Sequence, residues 1–489
     1  MKKILFIFAS LFFILSSQAQ DRMLSLDNVL QLAREQSPSA LIAKHRFKNS
    51  YWQYKFYKAE QLPSLSLDGT LPEVRNGLVR ENLGGITSYF KQNTVTFRGG
   101  LQLDQAVPWT GGSLFMNSSL EQTINYLSDS TYNQFLSVPV FIGFNQPLFQ
   151  FNQYKWDRRI EPIKYEIAKK EYLSAVEKVS VDAINLFFGL LTAQVELRIS
   201  EINYNNYDTL YKVAKGRYSL GRIGENEVLQ MELSMLKAQS ALERNKMLLA
   251  DAMLSLKSFL RLKEDENITL TTPAPQFFEA VNNDLALQKA IANSNEYLDF
   301  ERRLLEAQMG VNEARNYGFT ANLYMAYGLN GKSFAFDEVY NDPSNQQVLS
   351  LGLKIPILDW GKRKGQIKMA ESNEELVKTS VDQAMADFAQ SVYLKVGEFN
   401  IQKNQVLIAA KSDTIAQKSY DVTKNRYLIG KIGVTDLNIA QTETDQAKIS
   451  YINALRAYWV NYYQLRQSTL FDFEEGVDLN VEYQDIYED

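Results

Sequence analysis

The chain of 489 residues has no cysteine and a single histidine. Without cysteine there is no disulfide framework, no thiolate nucleophile and no Cys-based zinc set. His45 stands alone, without the partners zinc requires, so it reads as an ordinary helix-surface residue. No nucleophile motif or ligand spacing appears, so no catalytic residue, no metal and no cofactor is expected. A basic excess is missing as well. Lys and Arg number 52 against 57 Asp and Glu, for a net charge of −5, which argues against nucleic acid as a partner. Beyond the N-terminus no apolar run approaches the ~20 residues that a membrane-spanning helix needs. Gly331-Lys332-Ser333 resembles the end of a phosphate-binding loop. Ala326 stands where that loop requires glycine and FAFDEVYNDP follows in place of a helix, so the segment reads as a surface loop between strands.

What is present begins with MKK, continues as ILFIFASLFFIL and ends in SSQAQ. A basic start, a short apolar core and small residues at Ser17 and Ala19 predict a signal peptide over residues 1–19. No cysteine follows the cleavage site, which excludes lipid anchoring there. An exported chain without a spanning helix is periplasmic, secreted or an outer-membrane β-barrel.

Much of the aromatic content, 27 Tyr and 27 Phe, falls in strand-like segments. Residues 62–71, 95–109, 113–122 and 137–149 in the first half, and 320–329 and 348–358 in the second, alternate with period two to differing degrees. Runs of about ten such residues fit membrane-spanning strands, apolar side chains toward lipid and polar ones toward a lumen. Trp109, Phe149, Phe151 and Trp360 flank the strand ends, where an aromatic girdle and ordinary packing are equal readings.

Long helical stretches lie between. Val176, Val179, Ala183, Leu186, Leu190, Ala193 and Leu197 step by three and four, as do Val228, Met231, Met235, Ala238 and Leu242. Leu437, Ala440, Thr444, Ala447, Tyr451, Ala454 and Tyr458 do the same, a coiled-coil signature. A second apolar set runs beside each stripe, Ile184, Phe187 and Leu191 in one and Ile449, Ile452, Leu455 and Trp459 in another. A helix with two seams packs two neighbours at once, as rings of helices require.

The chain repeats itself. RYSLGRIGENE (217–227) has a near copy in RYLIGKIGVTD (426–436), and Pro147-Leu148-Phe149 matches Pro356-Ile357-Leu358, both 209 positions apart. Each copy reads as the tip of a helical hairpin, with glycine relieving the helix end and Glu227 or Asp436 in the first returning turn. The organisation predicted is a first repeat over 20–265, with strands within 62–149 and a helical hairpin at 156–260. A linker over 266–281 follows. A second repeat spans 282–470, with strands within 320–358 and a hairpin at 360–468. An acidic tail at 471–489 reads as solvated. The fold class is an α+β membrane protein, a long antiparallel α-helical coiled-coil barrel joined to a transmembrane β-barrel. One chain supplies four to six strands, fewer than the smallest barrel, so several chains share it. Four strands from each of three chains give twelve. The extra hairpin at 95–122 either raises the count to eighteen or decorates the outside.

The opening LSLDNVLQLA, the segment LPSLSLDG, the QPLF and IPIL turns and the paired Y-x-x-G tips, in that order and duplicated, resemble the TolC-like outer-membrane efflux channels over nearly all of the mature chain. The resemblance implies a homotrimer in outer-membrane lipid, a shared twelve-strand barrel and a helical tunnel in the periplasm. It also implies a periplasmic adaptor (membrane fusion) protein and an inner-membrane pump as partners. Such channels close at an iris of polar and acidic side chains, which by motif position places Asn226 and Glu227 on the first tip and Tyr427 and Asp436 on the second. Ile439 stands where the family often has a second aspartate; Thr435 and Asn438 offer weaker polar contacts. Tyr218, Gly221, Gly224, Gly430 and Gly433 are the expected adaptor contacts, in grooves around 205–235 and 414–445. Two rivals remain at this stage: a periplasmic coiled-coil scaffold without a pore, and an outer-membrane enzyme such as a lipase, which the missing triad disfavours.

Overall fold

The computed structural model describes residues 21–489 apart from 84–85, 128–129, 264, 275–276, 278, 482, 484–485 and 487–489. The expected signal peptide, Pro275 of the linker and the last residues of the tail lie outside these. β1 (Asp21–Leu24), α1 (Leu26–Gln36) and α2 (Pro38–Glu60) come first. Then come β2 (Ser64–Leu83), β3 (Ile86–Val107), β4 (Gly112–Tyr126) and β5 (Thr131–Leu148), followed by α3 (Gln153–Ser219) and α4 (Glu225–Leu260). The second half runs β6 (Asn267–Leu270), α5 (Asn283–Asn293), α6 (Asn295–Arg315), β7 (Thr320–Ser333), β8 (Ser344–Lys354), α7 (Lys362–Leu428) and α8 (Val434–Thr469). It ends on β9 (Phe471–Asp472) and β10 (Val477–Asp478).

The repeat is visible in the element lengths. α3 and α7 have 67 residues each, α4 and α8 have 36 each, and every one of their bounds is 209 positions from its counterpart. α1 and α5, both of 11 residues, start 257 positions apart. The 48 residues by which the first repeat exceeds the second therefore fall between its opening helices and α3, where β3 and β4 lie.

The chain divides into two compact units. One takes Asn49–Ile167 and Leu298–Ala384. Its centre is a six-stranded antiparallel sheet in the order β2-β3-β4-β5-β7-β8. The strands run past the predicted bounds. β2 and β3 stay paired as far as Leu83 and Ile86, because polar residues on both faces, such as Asn76 opposite Asn93, end the alternation while the backbone ladder continues. Gly331–Ser333 close β7 and are not a loop, and Val339 of the following loop folds back over Gly331, whose missing side chain makes room. The sheet keeps one apolar face: Leu65 and Leu67, Leu101 and Leu103, Leu114 and Met116, Ile142 and Phe144, Leu323 and Met325, Leu349 and Leu351 stand on successive strands. The opposite face carries Ser66, Gln102, Asn117, Asn322 and Ser350. Trp109, Phe149 and Trp360 are exposed and share one end of the sheet, the end of the β3–β4 turn.

The other unit takes Ala168–Tyr297, Met385–Asp489 and the chain as far as Lys48. Both expected seams of α3 are buried, Val179, Ala183 and Leu190 on one and Ile184, Phe187 and Leu191 on the other. Contrary to the sequence reading, α3 does contain a window apolar enough to cross a membrane, and 56% of it is buried in the fold. The linker is not free either. β6 lies within it, runs parallel to β1, and is held by Gln194, which donates to Ile268 O at 2.8 Å.

The acidic tail is docked at its root, against the expectation of a solvated segment. Arg466 Nη1 lies 2.5 Å from Asp472 Oδ2, and Tyr462 donates to Asp472 Oδ1 at 2.7 Å. Arg466 Nε sits 3.1 Å from Glu177 Oε2, in charge contact without hydrogen-bond geometry, and Arg34 Nη2 approaches Glu177 at 3.4 Å. Phe471 and Ile486 are buried, and Tyr483 packs on Phe47 at 5.2 Å. A tail carrying mostly acids binds because one largely buried arginine holds a carboxylate of the helical unit, Glu177, and a carboxylate of the tail, Asp472.

Candidate gate at the hairpin tips

Both hairpins turn by the same device. The amide of Gly221 donates to Tyr218 O and that of Arg222 to Arg217 O, at 2.8 and 2.9 Å. In the second tip Gly430 and Lys431 repeat this to Tyr427 and Arg426, at 2.9 and 3.0 Å. These are paired Schellman closures, and they need a residue at positive φ; Gly221 has +68° and Gly430 +76°. Gly224 and Gly433 then cap the returning helices in extended conformation, with no side-chain bond. The empty caps leave the first-turn amides to Glu225 and Glu227 in α4, and to Asp436 in α8, by charge alone.

Of the four expected gate residues, Asn226 and Asp436 are exposed and Glu227 is half-buried. Tyr427 is 2% exposed and packs with Leu210, Ala214, Met231, Tyr420, Val434 and Leu437. Its ring packs into the interior of the tip. Arg217 reaches across from the first tip, donating to Tyr427 O at 3.3 Å and also to Leu428 O, with its guanidinium 5.7 Å from the tyrosine ring. Burial pushes the Tyr427 hydroxyl up, Arg217 opposes the shift and Glu227 adds to it, so two opposite charges of the first tip act on a phenol of the second. Among the expected adaptor contacts, Tyr218 is 47% exposed and the four glycines lie on the surface.

Asn438, expected as a polar contact near the gate, is already engaged. It accepts from Tyr207 Oη at 2.9 Å and donates to Ser234 Oγ at 3.1 Å, joining α8 to α3 and α4. Two turns on, Asp445 accepts from Asn203 at 2.7 Å and from Gln441 at 2.9 Å. A groove of about 560 Å³ between α3, α4 and α8 is lined by these residues. Burial raises the Asp445 carboxyl above its usual range against the pull of those two bonds. Burial pushes Tyr207 and Tyr420 up to about 12, helped at Tyr207 by Tyr420 and then Asp445, and at Tyr420 by Asp445 and then Asp421. The sequence reading missed this polar strip and Arg217. The strip has a signal: Asn438, Gln441 and Asp445 continue the second seam of Ile449 and Ile452 toward the tip, at the same three- and four-residue steps.

The likeness to known proteins agrees with this architecture. The chain is 21% identical over 299 residues to toxin and drug export protein A of Aggregatibacter actinomycetemcomitans, a match over 60% of this chain and 64% of that protein's length. The Campylobacter jejuni CmeC outer membrane channel superposes with a TM-score of 0.66 at 15% identity, covering 95% of this chain and 88% of its own. The outer membrane protein VceC of Vibrio cholerae does so at 0.61 and 12%, covering 93% and 97%. The open state of the Neisseria gonorrhoeae MtrE channel gives 0.61 at 13%, covering 93% and 89%. The family model described as outer membrane efflux protein matches residues 29–260 and 286–469, and the chain belongs to that family of outer-membrane channels.

Proposed function

We propose that the chain is one subunit of a homotrimeric outer-membrane channel, the passive exit duct of a tripartite efflux or type I secretion system. Unfinished helix faces carry this reading. In α7, Leu394, Ile401, Ile408, Ile415 and Val422 recur every seven residues, and each is more than half exposed. In α4, Leu229, Leu233, Leu236, Met247 and Leu254 keep heptad steps and are likewise more than half exposed. Within one copy, α3, α4 and α8 bond to one another through Asn203, Tyr207, Ser234, Asn438 and Asp445. α8 also bonds to α7 through Thr444 and Lys448. The open seams on α4 and α7 suit each other head to tail, which closes a ring of copies.

In that ring the sheets lie in outer-membrane lipid and the helices in the periplasm. Three exposed Asp436 carboxylates converge at the tips, where they repel anions and hold cations. Tyr218, Gly221, Gly224, Gly430 and Gly433 meet a periplasmic adaptor, and an inner-membrane pump supplies the energy. Extracted in detergent, the protein is expected to weigh three copies and to conduct in planar bilayers. Asp436→Ala is expected to raise the conductance and weaken block by multivalent cations. Ile408→Glu with Ile415→Glu is expected to release monomers while the helix content by circular dichroism is kept. A single water-soluble subunit, or a trimer indifferent to the two glutamates, overturns the reading.

A further inference from the structure

We propose that β3 and β4 cross the membrane with the other four strands, so that three copies close an eighteen-stranded barrel in which β8 of one copy pairs with β2 of the next. The inference rests on the trimeric reading above and departs from the twelve strands that the family resemblance implies. β3 and β4 are not an appendage. β3 is paired to β2 from Ser64–Asp104 onward, and β4 is paired to β5 from Ser113–Asn145 to Tyr126–Thr131. β2 therefore has no contact with β5 in the ladder, and removing the hairpin from the wall would break both pairings.

The side chains agree with the backbone. On β3 and β4 the face shared with Leu67 and Ile142 shows Leu101, Leu103, Leu114, Met116 and Leu120, and Leu101, Leu114 and Met116 are exposed. The opposite face holds Arg98 in a 3.1 Å ion pair with Glu121, Thr96 bonded to Thr123, and Gln102 bonded to Asp104. An ion pair of this kind is costly against lipid and ordinary in a wet lumen. Six is an even number of strands, so the two free edges run antiparallel to one another. β8 leaves toward the end from which β2 departs, and any number of copies closes without a parallel seam. Both edges are polar on one face and leucine-rich on the other, Leu65 and Leu67 against Leu349, Leu351 and Leu353, so their faces match on pairing. An open edge is not tolerated in hydrocarbon. Barrel diameter grows roughly in proportion to strand number, so the wall would be about one and a half times as wide as a twelve-stranded one.

The absence of cysteine makes the test direct. Single cysteines at Leu101, Leu103, Leu114 and Met116, and at Gln102, Asn117 and Ser119, would be labelled with a fluorophore in the full chain in lipid vesicles. The first group is expected to lose fluorescence to brominated lipid and the second only to aqueous iodide. Ser66→Cys with Ser350→Cys is expected to yield covalent trimers on oxidation. The detergent-extracted mass is measured on the same material. Three copies in which both groups respond only to iodide would leave the channel reading intact and overturn the eighteen-stranded barrel. A mass of two copies, which would close with twelve strands, overturns both.

Discussion

Tyr218 and Tyr427 occupy the same step of the same turn, 209 residues apart, and only the second is buried. Local sequence cannot be the reason, since both tips share the closure at Gly221 and Gly430 and the glycine cap. The difference is made across the two repeats. Arg217 of the first tip binds the carbonyls that end α7 and covers the Tyr427 ring, whereas its counterpart Arg426 is exposed. At the root a second arginine ties the repeats: Arg466 of α8 joins Glu177 of the first repeat to Asp472 of the tail. Duplication supplies two equal hairpins, and unequal charged contacts between them make one the support of the other.

The sharpest way to break this asymmetry is at the root. Arg466→Ala leaves Glu177 buried with only Arg34 nearby, and losing one partner of a buried ionic cluster costs about 3–5 kcal/mol. The thermal midpoint of the detergent-extracted protein is expected to fall markedly, and the tail beyond Leu470 to become open to protease. An unchanged midpoint and a tail still protected from protease would show that Arg466 does not hold this root.

At the tips the expected effects are smaller. Arg217→Ala removes charged bonds to two carbonyls, about 2 kcal/mol at a half-exposed site. The second tip is expected to exchange its amide hydrogens faster, while Arg426→Ala leaves both tips unchanged. Gly430→Ala places a side chain at positive φ, costing about 1 kcal/mol. Gly221→Ala is expected to cost the same, because the turn is local and does not share the tertiary difference. Thermal midpoints that differ between the two alanines would show that the turns are less equivalent than their bonds suggest.

Much of this was readable before any coordinates. The equal helices follow from the 209-residue repeat, and the two seams of α3 follow from heptad steps through Val179 and Ile184. Periodicity reports which face is covered, so it found what packs in one plane. It did not find β3 before Val95, where Asn93 and Lys91 face strand partners on a wet surface and the pattern lapses. It could not find the docked tail, because Arg466 meets Glu177 across 289 positions of sequence. Nor could it place Tyr427, which is buried among Leu210, Ala214 and Met231 of the other repeat. The polar seam at Asn438, Gln441 and Asp445 lay within reach of the same heptad argument, as a stripe that changes from apolar to polar toward the tip.

That seam supplies the mildest test, since the second hairpin holds a half-buried carboxylate there, whereas residue 236, the counterpart of Asp445 in α4, is an exposed leucine. Burial raises the Asp445 carboxyl in the folded state, whereas in the unfolded chain it titrates at the ordinary value. Between those two values the folded form keeps a proton that the unfolded form has released. Stability from this group is therefore full in acid below the ordinary value and is lost as pH rises through the raised one. Asp445→Asn fixes the neutral form and still offers an oxygen to Asn203 or Gln441. Thermal midpoints of the two proteins are expected to coincide in acid, with the variant slightly higher at neutral pH. The difference between them should open on the alkaline side of the ordinary carboxylate range. A variant less stable than the parent at neutral pH, with no pH-dependent gap, would mean that the bonds from Asn203 and Gln441 outweigh burial and that the carboxylate is a clasp between the hairpins in its charged form.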